Sequence, residues 1–236
     1  MHIKKLLQID ELEAASRLEA EIWGASDPTP RALLAVFAHR GGVVLGAWDQ
    51  EGLVGISVGF PGLDGRGRTY LHSHLLGVKP AYRQKRVGEA LKREQWRFAR
   101  ECGFAYIGWT YDPLMAGNAW FNLHVLGARV DKLEEDVYGR LNDALNRDQP
   151  THRFWVVWNP ERPHLLRPSA VPRYLPIPGD MIALRRDHPE TSRLLADQWF
   201  SQARQWWQAG WRVDGVERDK AGVKYRWSKA EEGGEG

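Results

Sequence analysis

A chain of 236 residues, 43% hydrophobic and 27% charged, has enough apolar side chains for one large domain or a medium domain with an appendage, and no apolar run that spans a bilayer. A formal net charge of +3 is too small to imply a nucleic-acid partner, and the single cysteine, Cys102, excludes an internal disulfide and a multi-cysteine zinc site. Residues 1–8 carry two lysines and then only two leucines, which is no export-signal core, so the expected location is the cytoplasm.

The chain opens on a predicted strand over residues 3–9. Asp10 and Glu13 have capping-box spacing and predict a helix to about Ile22. Residues 24–30, with two prolines, end it, and a second helix is predicted over 31–39. Residues 43–48 and 53–60 read as strands joined by a turn at 49–52, a hairpin. A glycine-rich polar loop at 62–68 leads to a third strand, 70–78, ended by Lys79-Pro80. A helix starts near Arg86; Val87, Leu91, Phe98 and Cys102 recur at helical spacing along it, and Gly103 closes it. A strand at 106–110, a short helix at 118–126 ended by Gly127, and strands at 128–138 and 154–158 complete the unit. Strand–helix–strand order in the middle with hairpins on the flanks predicts a mixed α/β sheet.

Residues 160–178, rich in proline, read as a linker or draped segment. Asp187 and Glu190 then head a long helix on which Ala196, Trp199, Phe200, Ala203, Trp206 and Trp207 form one stripe, and Gly210 ends it. Strands follow at about 212–218 and 223–227, and residues 231–236 are expected to be disordered. The organisation expected is a domain over 1–160 and an α+β extension over 161–230. The tryptophan stripe packs that extension on the domain or on the partner in a homodimer.

Charges mix along most of the chain. The exception is 83–100, where Arg83, Lys85, Arg86, Lys92, Arg93, Arg97 and Arg100 face only Glu89 and Glu94. So short a cluster suits a small polyanion better than a duplex. Here a strand ends, a basic loop follows and a helix opens. The free N–H groups and positive dipole end of that helix form an anion site. Gly88 lets backbone approach a phosphate, and Arg83, Lys85 and Arg86 add charge, which together read as a diphosphate cradle. The bland alternative is a solvated amphipathic helix behind a basic loop. Neither a Walker loop nor a GxGxxG fingerprint is present.

The run 83–88 resembles motif A of the GNAT acyltransferase superfamily, Gln/Arg-x-x-Gly-x-Gly/Ala, with Arg83 first and Gly88 last. Arg86 stands where the family usually has glycine. The block Asn118-Ala119-Trp120-Phe121-Asn122, closing on Leu126-Gly127-Ala128, is similar to the family's later helix. More narrowly, Ser73-His74, the run 109–114, Tyr138-Gly139, Pro150-Thr151 and Arg153 resemble a bacterial GNAT subgroup, some members of which are associated with amino-acid N-succinylation.

The resemblance implies a GNAT-like α/β fold: a mixed, mostly antiparallel central sheet flanked by helices, with the C-terminal α+β extension added. It implies acetyl-CoA or another acyl-CoA as co-substrate. Leu76, Gly77 and Val78 would pair with pantetheine and polarise the thioester carbonyl. Arg83, Gln84, Lys85, Arg86, Val87, Gly88 and Glu89 would cradle the pyrophosphate. Asn118, Phe121 and Asn122 would meet the CoA arm, the asparagines having capping or solvent-facing roles as the alternative. His72 falls where some members place a catalytic glutamate. His72 and His74 share a strand face by alternation and are the candidate bases, with a structural pair in the sheet as the bland reading. They lack a third ligand for a metal. The family's acid position holds Leu123, so Tyr111 or Tyr138 would supply the proton, or none is needed. Asp112 would hold a substrate ammonium, or Asp112-Pro113 starts a turn.

The expected function is N-acyl transfer of an acetyl or other short acyl group from acyl-CoA to a primary amine of a small molecule, by direct attack in a ternary complex. One rival is a succinyl-CoA-dependent amino-acid N-succinyltransferase. The other is a non-catalytic CoA-binding or nucleic-acid-binding protein. Neither nucleic acid nor membrane is expected as a partner.

Overall fold

The computed structural model describes residues 1–24, 28–139, 149–162 and 171–229. The chain divides into two compact units, Met1–Trp109 and Thr110–Gly236. The expected tail at 231–236, and residues 163–170 of the expected linker, lie outside the described residues.

The first unit contains β1 (His2–Lys5), α1 (Ile9–Trp23), α2 (Arg31–His39), β2 (Val43–Asp49), β3 (Gly52–Leu63), β4 (Thr69–Val78), a 3₁₀ turn (Pro80–Tyr82), α3 (Val87–Glu101) and the start of β5 (Ile107–Tyr111). The strands lie in the order β1-β2-β3-β4-β5. The first three pairings are antiparallel, and β4 with β5 is parallel. Alternation along β3 divides the packing. Ile56 and Val58 join Leu12, Ala15 and Leu18 of α1 and Leu34 of α2 in one core. Gly55 and Gly59 lie against Val87, Leu91 and Gln95 of α3. Helices therefore cover both faces of a mostly antiparallel sheet, the expected class.

Three local expectations change. The strand expected to reach residue 9 ends at Lys5, and α1 begins at Ile9. The capping carboxylate is Glu11 and not Glu13. Glu11 accepts the backbone N–H groups of Leu7 and Gln8 at 3.1 and 3.2 Å and pairs with Lys4, so the orphan donors are satisfied earlier. Cys102, expected on the buried stripe of α3, follows the last helical residue and is exposed.

The second unit contains α4 (Ala116–Ala119) running into a π-type turn (Trp120–Val125), β6 (Arg129–Glu134), β7 (Arg153–Trp158), β8 (Arg173–Pro176), α5 (Met181–Asp187), α6 (Pro189–Gln208), β9 (Trp211–Asp219) and β10 (Gly222–Lys229). β6 pairs antiparallel with β7, and β8-β10-β9 form a separate antiparallel sheet. Phe154, Trp199, Tyr225 and Trp227 make its aromatic core, and the Trp199 indole N–H donates to the Pro176 carbonyl at 2.7 Å. Of the stripe expected on α6, Ala196, Trp199, Phe200 and Ala203 are buried, while Trp206 and Trp207 are only half-buried.

The segment read as linker holds β8, and α5 precedes the expected long helix. Asp180 caps α5 by accepting from the Ala183 N–H at 3.0 Å. His188 leaves the helical region (φ −141°, ψ 66°) because Pro189 disfavours it there, and α6 restarts at the proline. β6 stops at Glu134 rather than reaching 138. Asp136 turns to φ 45°, and its carboxylate accepts from the Thr151 N–H and hydroxyl. Among the described residues no helix is long and apolar enough to cross a membrane.

Candidate active site

In the first unit the site is built around the far end of β4. Its pairing with β3 runs Val58 with Leu75 and then Gly59 with Ser73, which leaves His74 as an extra, bulged residue. Its pairing with β5 covers only Leu71 with Ile107 and His72 with Gly108. β4 then continues to Val78, and among the described residues no strand is registered against its edge beyond His72. Leu76, Gly77 and Val78 lie on this stretch. A Cβ on Gly77 would stand 2.5 Å from the Trp23 ring, so α1 has closed over the strand as tightly as glycine permits.

β4 leads into the basic loop. The Tyr82 hydroxyl bonds Asp49 and Glu51 of the β2–β3 turn, which pins the loop from below. Gln84 and Arg86 both have left-handed backbone, φ 67° and 59°. Arg86 therefore holds the conformation that glycine adopts freely, at a cost of roughly 1–2 kcal/mol. Its guanidinium turns along the helix to Glu89 at 2.9 and 3.1 Å, and Arg93 reaches the same carboxylate. The Glu89 carboxyl is lowered chiefly by its bond from Arg86. Arg83 and Lys85 stay exposed, with Lys85 Nζ 4.5 Å from the centre of the Tyr82 ring. Ala90 donates the first helical bond, to the Arg86 carbonyl. The N–H groups of Val87, Gly88 and Glu89 thus head the helix with no intrahelical acceptor. Further along α3, Arg97 pairs with Glu94 and Glu101, so much of the basic face is neutralised from within.

The two histidines share a face despite the bulge. The Phe60 ring lies 4.9 Å from His72 and 5.8 Å from His74, and Phe37 stacks on Phe60 at 4.9 Å. Burial, reinforced by His74, pushes His72 down to about 4, so its ring is neutral near pH 7. Desolvation lowers His74 as well. On the opposite face Ser73 is buried and bonded by Lys92 of α3. Sequence reasoning counted Lys92 in the basic cluster, although it is buried, and did not single out Gln95. Their spacing of three beside Leu91 and Trp96 put both on the buried side of α3 and was the available signal.

The remaining candidates lie in the second unit. The Tyr111 hydroxyl is buried 3.1 Å from that of Tyr225, which donates to the Pro113 carbonyl at 2.8 Å. Burial pushes the Tyr111 phenol up. Tyr138 is exposed, its hydroxyl 2.7 Å from Thr110 Oγ1. Asp112 accepts the Leu114 N–H at 2.9 Å, the turn geometry, while its other oxygen meets Arg185 at 2.6 Å and Arg153 at 4.0 Å. Asn118 is exposed on α4, Phe121 is half-buried, and Asn122 is buried with its carbonyl accepting from Ala128. Among the described residues no group of three or more His, Cys, Asp or Glu is placed to hold a metal.

No protein-family model matches the sequence, and no curated protein matches it. Solved structures do. The ribosomal-protein-S18-alanine N-acetyltransferase of Escherichia coli is similar with a TM-score of 0.53 at 14% identity, over 72% of this chain and 97% of that one. Arabidopsis thaliana NAA60 in complex with acetyl-CoA is similar with a TM-score of 0.54 at 16% identity, over 66% and 97%. An aminoglycoside 6'-acetyltransferase type Ii is similar with a TM-score of 0.52 at 19% identity, over 71% and 100%. The chain has the GNAT acetyltransferase fold.

Proposed function

We propose that this GNAT-fold protein is an acyl-CoA N-acyltransferase that moves an acetyl or other short acyl group to a primary amine of a small molecule. One observation carries the reading. Within the first unit, a bulged strand that outruns its registered partner among the described residues feeds a basic loop and then a helix N-terminus whose first N–H groups have no intrahelical acceptor. Pantetheine would lie along Leu76–Val78, and the pyrophosphate would sit on the N–H groups of Val87, Gly88 and Glu89 with Arg83 and Lys85 beside it. Similar structures include one in complex with acetyl-CoA, which supports acetyl as donor. Their named acceptors range from a ribosomal-protein alanine to aminoglycosides, so the fold leaves the amine to be found by assay.

The reaction forms one amide bond and breaks one thioester. Strand N–H groups polarise the thioester carbonyl, and the acceptor nitrogen attacks it. Neutral His72 takes the proton released from that nitrogen, with His74 beside it on the same face. The intermediate collapses and expels the CoA thiolate. Of the two candidate tyrosines, both in the second unit, Tyr138 is the exposed one, and the Tyr111 hydroxyl is tied to Tyr225. Asp112 is already ion-paired, so an acceptor ammonium would compete with Arg185 for it.

Thiol release tests the reading, with acetyl-, propionyl- and succinyl-CoA each run against amino acids, polyamines, aminoglycosides and peptides. Amine-dependent release from acetyl-CoA with a small amine is the expected result. Release with peptides alone would overturn the acceptor class, release from succinyl-CoA alone the donor, and none with any pair the activity.

A further inference from the structure

A chain of buried polar groups runs through the first unit on the face of β4 opposite the histidines. Lys92 is 2% exposed, and its Nζ donates to Ser73 Oγ at 2.7 Å and to Gln95 Oε1 at 3.3 Å. Fully buried Gln95 donates to Ser57 Oγ at 2.9 Å. The Lys92 nitrogen also lies 3.5 Å from the centre of the Trp109 ring. The chain thereby ties β3, β4 and β5 to α3. Burial pushes the Lys92 amine well below the ordinary lysine range.

A methionine here would fill similar space with no polar group to desolvate, so the amine is costly as plain filling. Its place in the register supplies a reason. Ser73 lies between His72 and the bulged His74. A bulge breaks the ladder that would otherwise fix the strand. Lys92 grips the serine next to the break, and it stands one helical turn after Gly88 on the helix whose N-terminus faces the proposed phosphates.

We infer that Lys92, with Gln95 and Ser73, is a positioning residue that locks the β4 bulge to α3 and so fixes where the His72 and His74 rings stand. This inference rests on the reading of those histidines as the base. Lys92 acts through Ser73 and touches no substrate.

The test uses the full chain carrying Lys92→Met, Ser73→Ala, both together, or Ser73→Thr, which keeps the hydroxyl. Thiol release gives kcat and KM, and NMR follows the histidine ring protons. Either single substitution should lower kcat at least tenfold, leave KM for acyl-CoA within threefold and displace the His72 and His74 resonances. The double substitution should lose no more than the worse single one, and Ser73→Thr should recover most of kcat. Ser73→Ala leaves the amine in place, so it decides the matter even if Lys92→Met does not fold. Unmoved histidine resonances, or a double loss equal to the product of the singles, would overturn the inference. If the wild type transfers no acyl group, the function fails while the resonances still test the clamp.

Discussion

Burial pushes the His72 imidazole, 4.9 Å from the Phe60 ring, down to about 4, against an ordinary 6.5. Between these values the unfolded chain binds the extra proton, so this contribution to stability is whole above pH 6.5 and is lost as pH falls toward 4. The loss is at most about 3 kcal/mol. The charged groups that act on the ring are His74, beside it on β4, and Lys92, across the strand on α3, and the lowered His74 changes stability in the same direction. Urea unfolding at pH 7, 5.5 and 4.5 should show the decline, and His72→Phe should flatten it. In thiol release, His72→Ala should lower kcat by roughly 10²–10⁴ with KM for acyl-CoA nearly unchanged. The shared face of the histidines was legible because alternation along a strand is local. The Trp23 ring over Gly77 was not, because it joins residues 54 positions apart that only the folded chain brings together.

At the scale of elements, the proposed phosphate contact of α3 would be made either by backbone or by side chain. Arg86 spends its guanidinium on Glu89, so Arg86→Gly should change CoA affinity less than threefold. Its stability should stay within about 1 kcal/mol, since relief of the left-handed backbone is offset by the flexibility of glycine and by a lost surface pair. Gly88→Val puts a branched side chain beside the free N–H groups and should weaken CoA at least tenfold, about 1.4 kcal/mol, by calorimetry. Strand, basic loop and helix start could be read from the sequence because proline, charge and glycine mark their borders. The expected cations Arg83, Lys85 and Arg86 could not be separated that way, since the diversion of Arg86 depends on its backbone angle. β8 and α5 were hidden because a proline-rich run has no periodicity to read, and their support comes from β10 and the Asp180 cap.

For the molecule as a whole, each unit holds its own buried core, and the second is built on aromatic residues scattered from 111 to 227. Tyr225→Phe removes the donor to the Pro113 carbonyl and the partner of the Tyr111 hydroxyl, both buried. It should cost about 1–3 kcal/mol in urea unfolding. The fold class was legible because strand and helix order fixes it. The tryptophan stripe of α6 was legible as a buried face, whereas its partners in β8 and β10 were not. Calorimetric titration of the wild-type chain with CoA, repeated on Gly88→Val, tests the central claim most directly. The expected result is saturable one-to-one binding that weakens at least tenfold in the variant. No heat of binding to the wild type at millimolar CoA, or equal affinity in the two proteins, would contradict it.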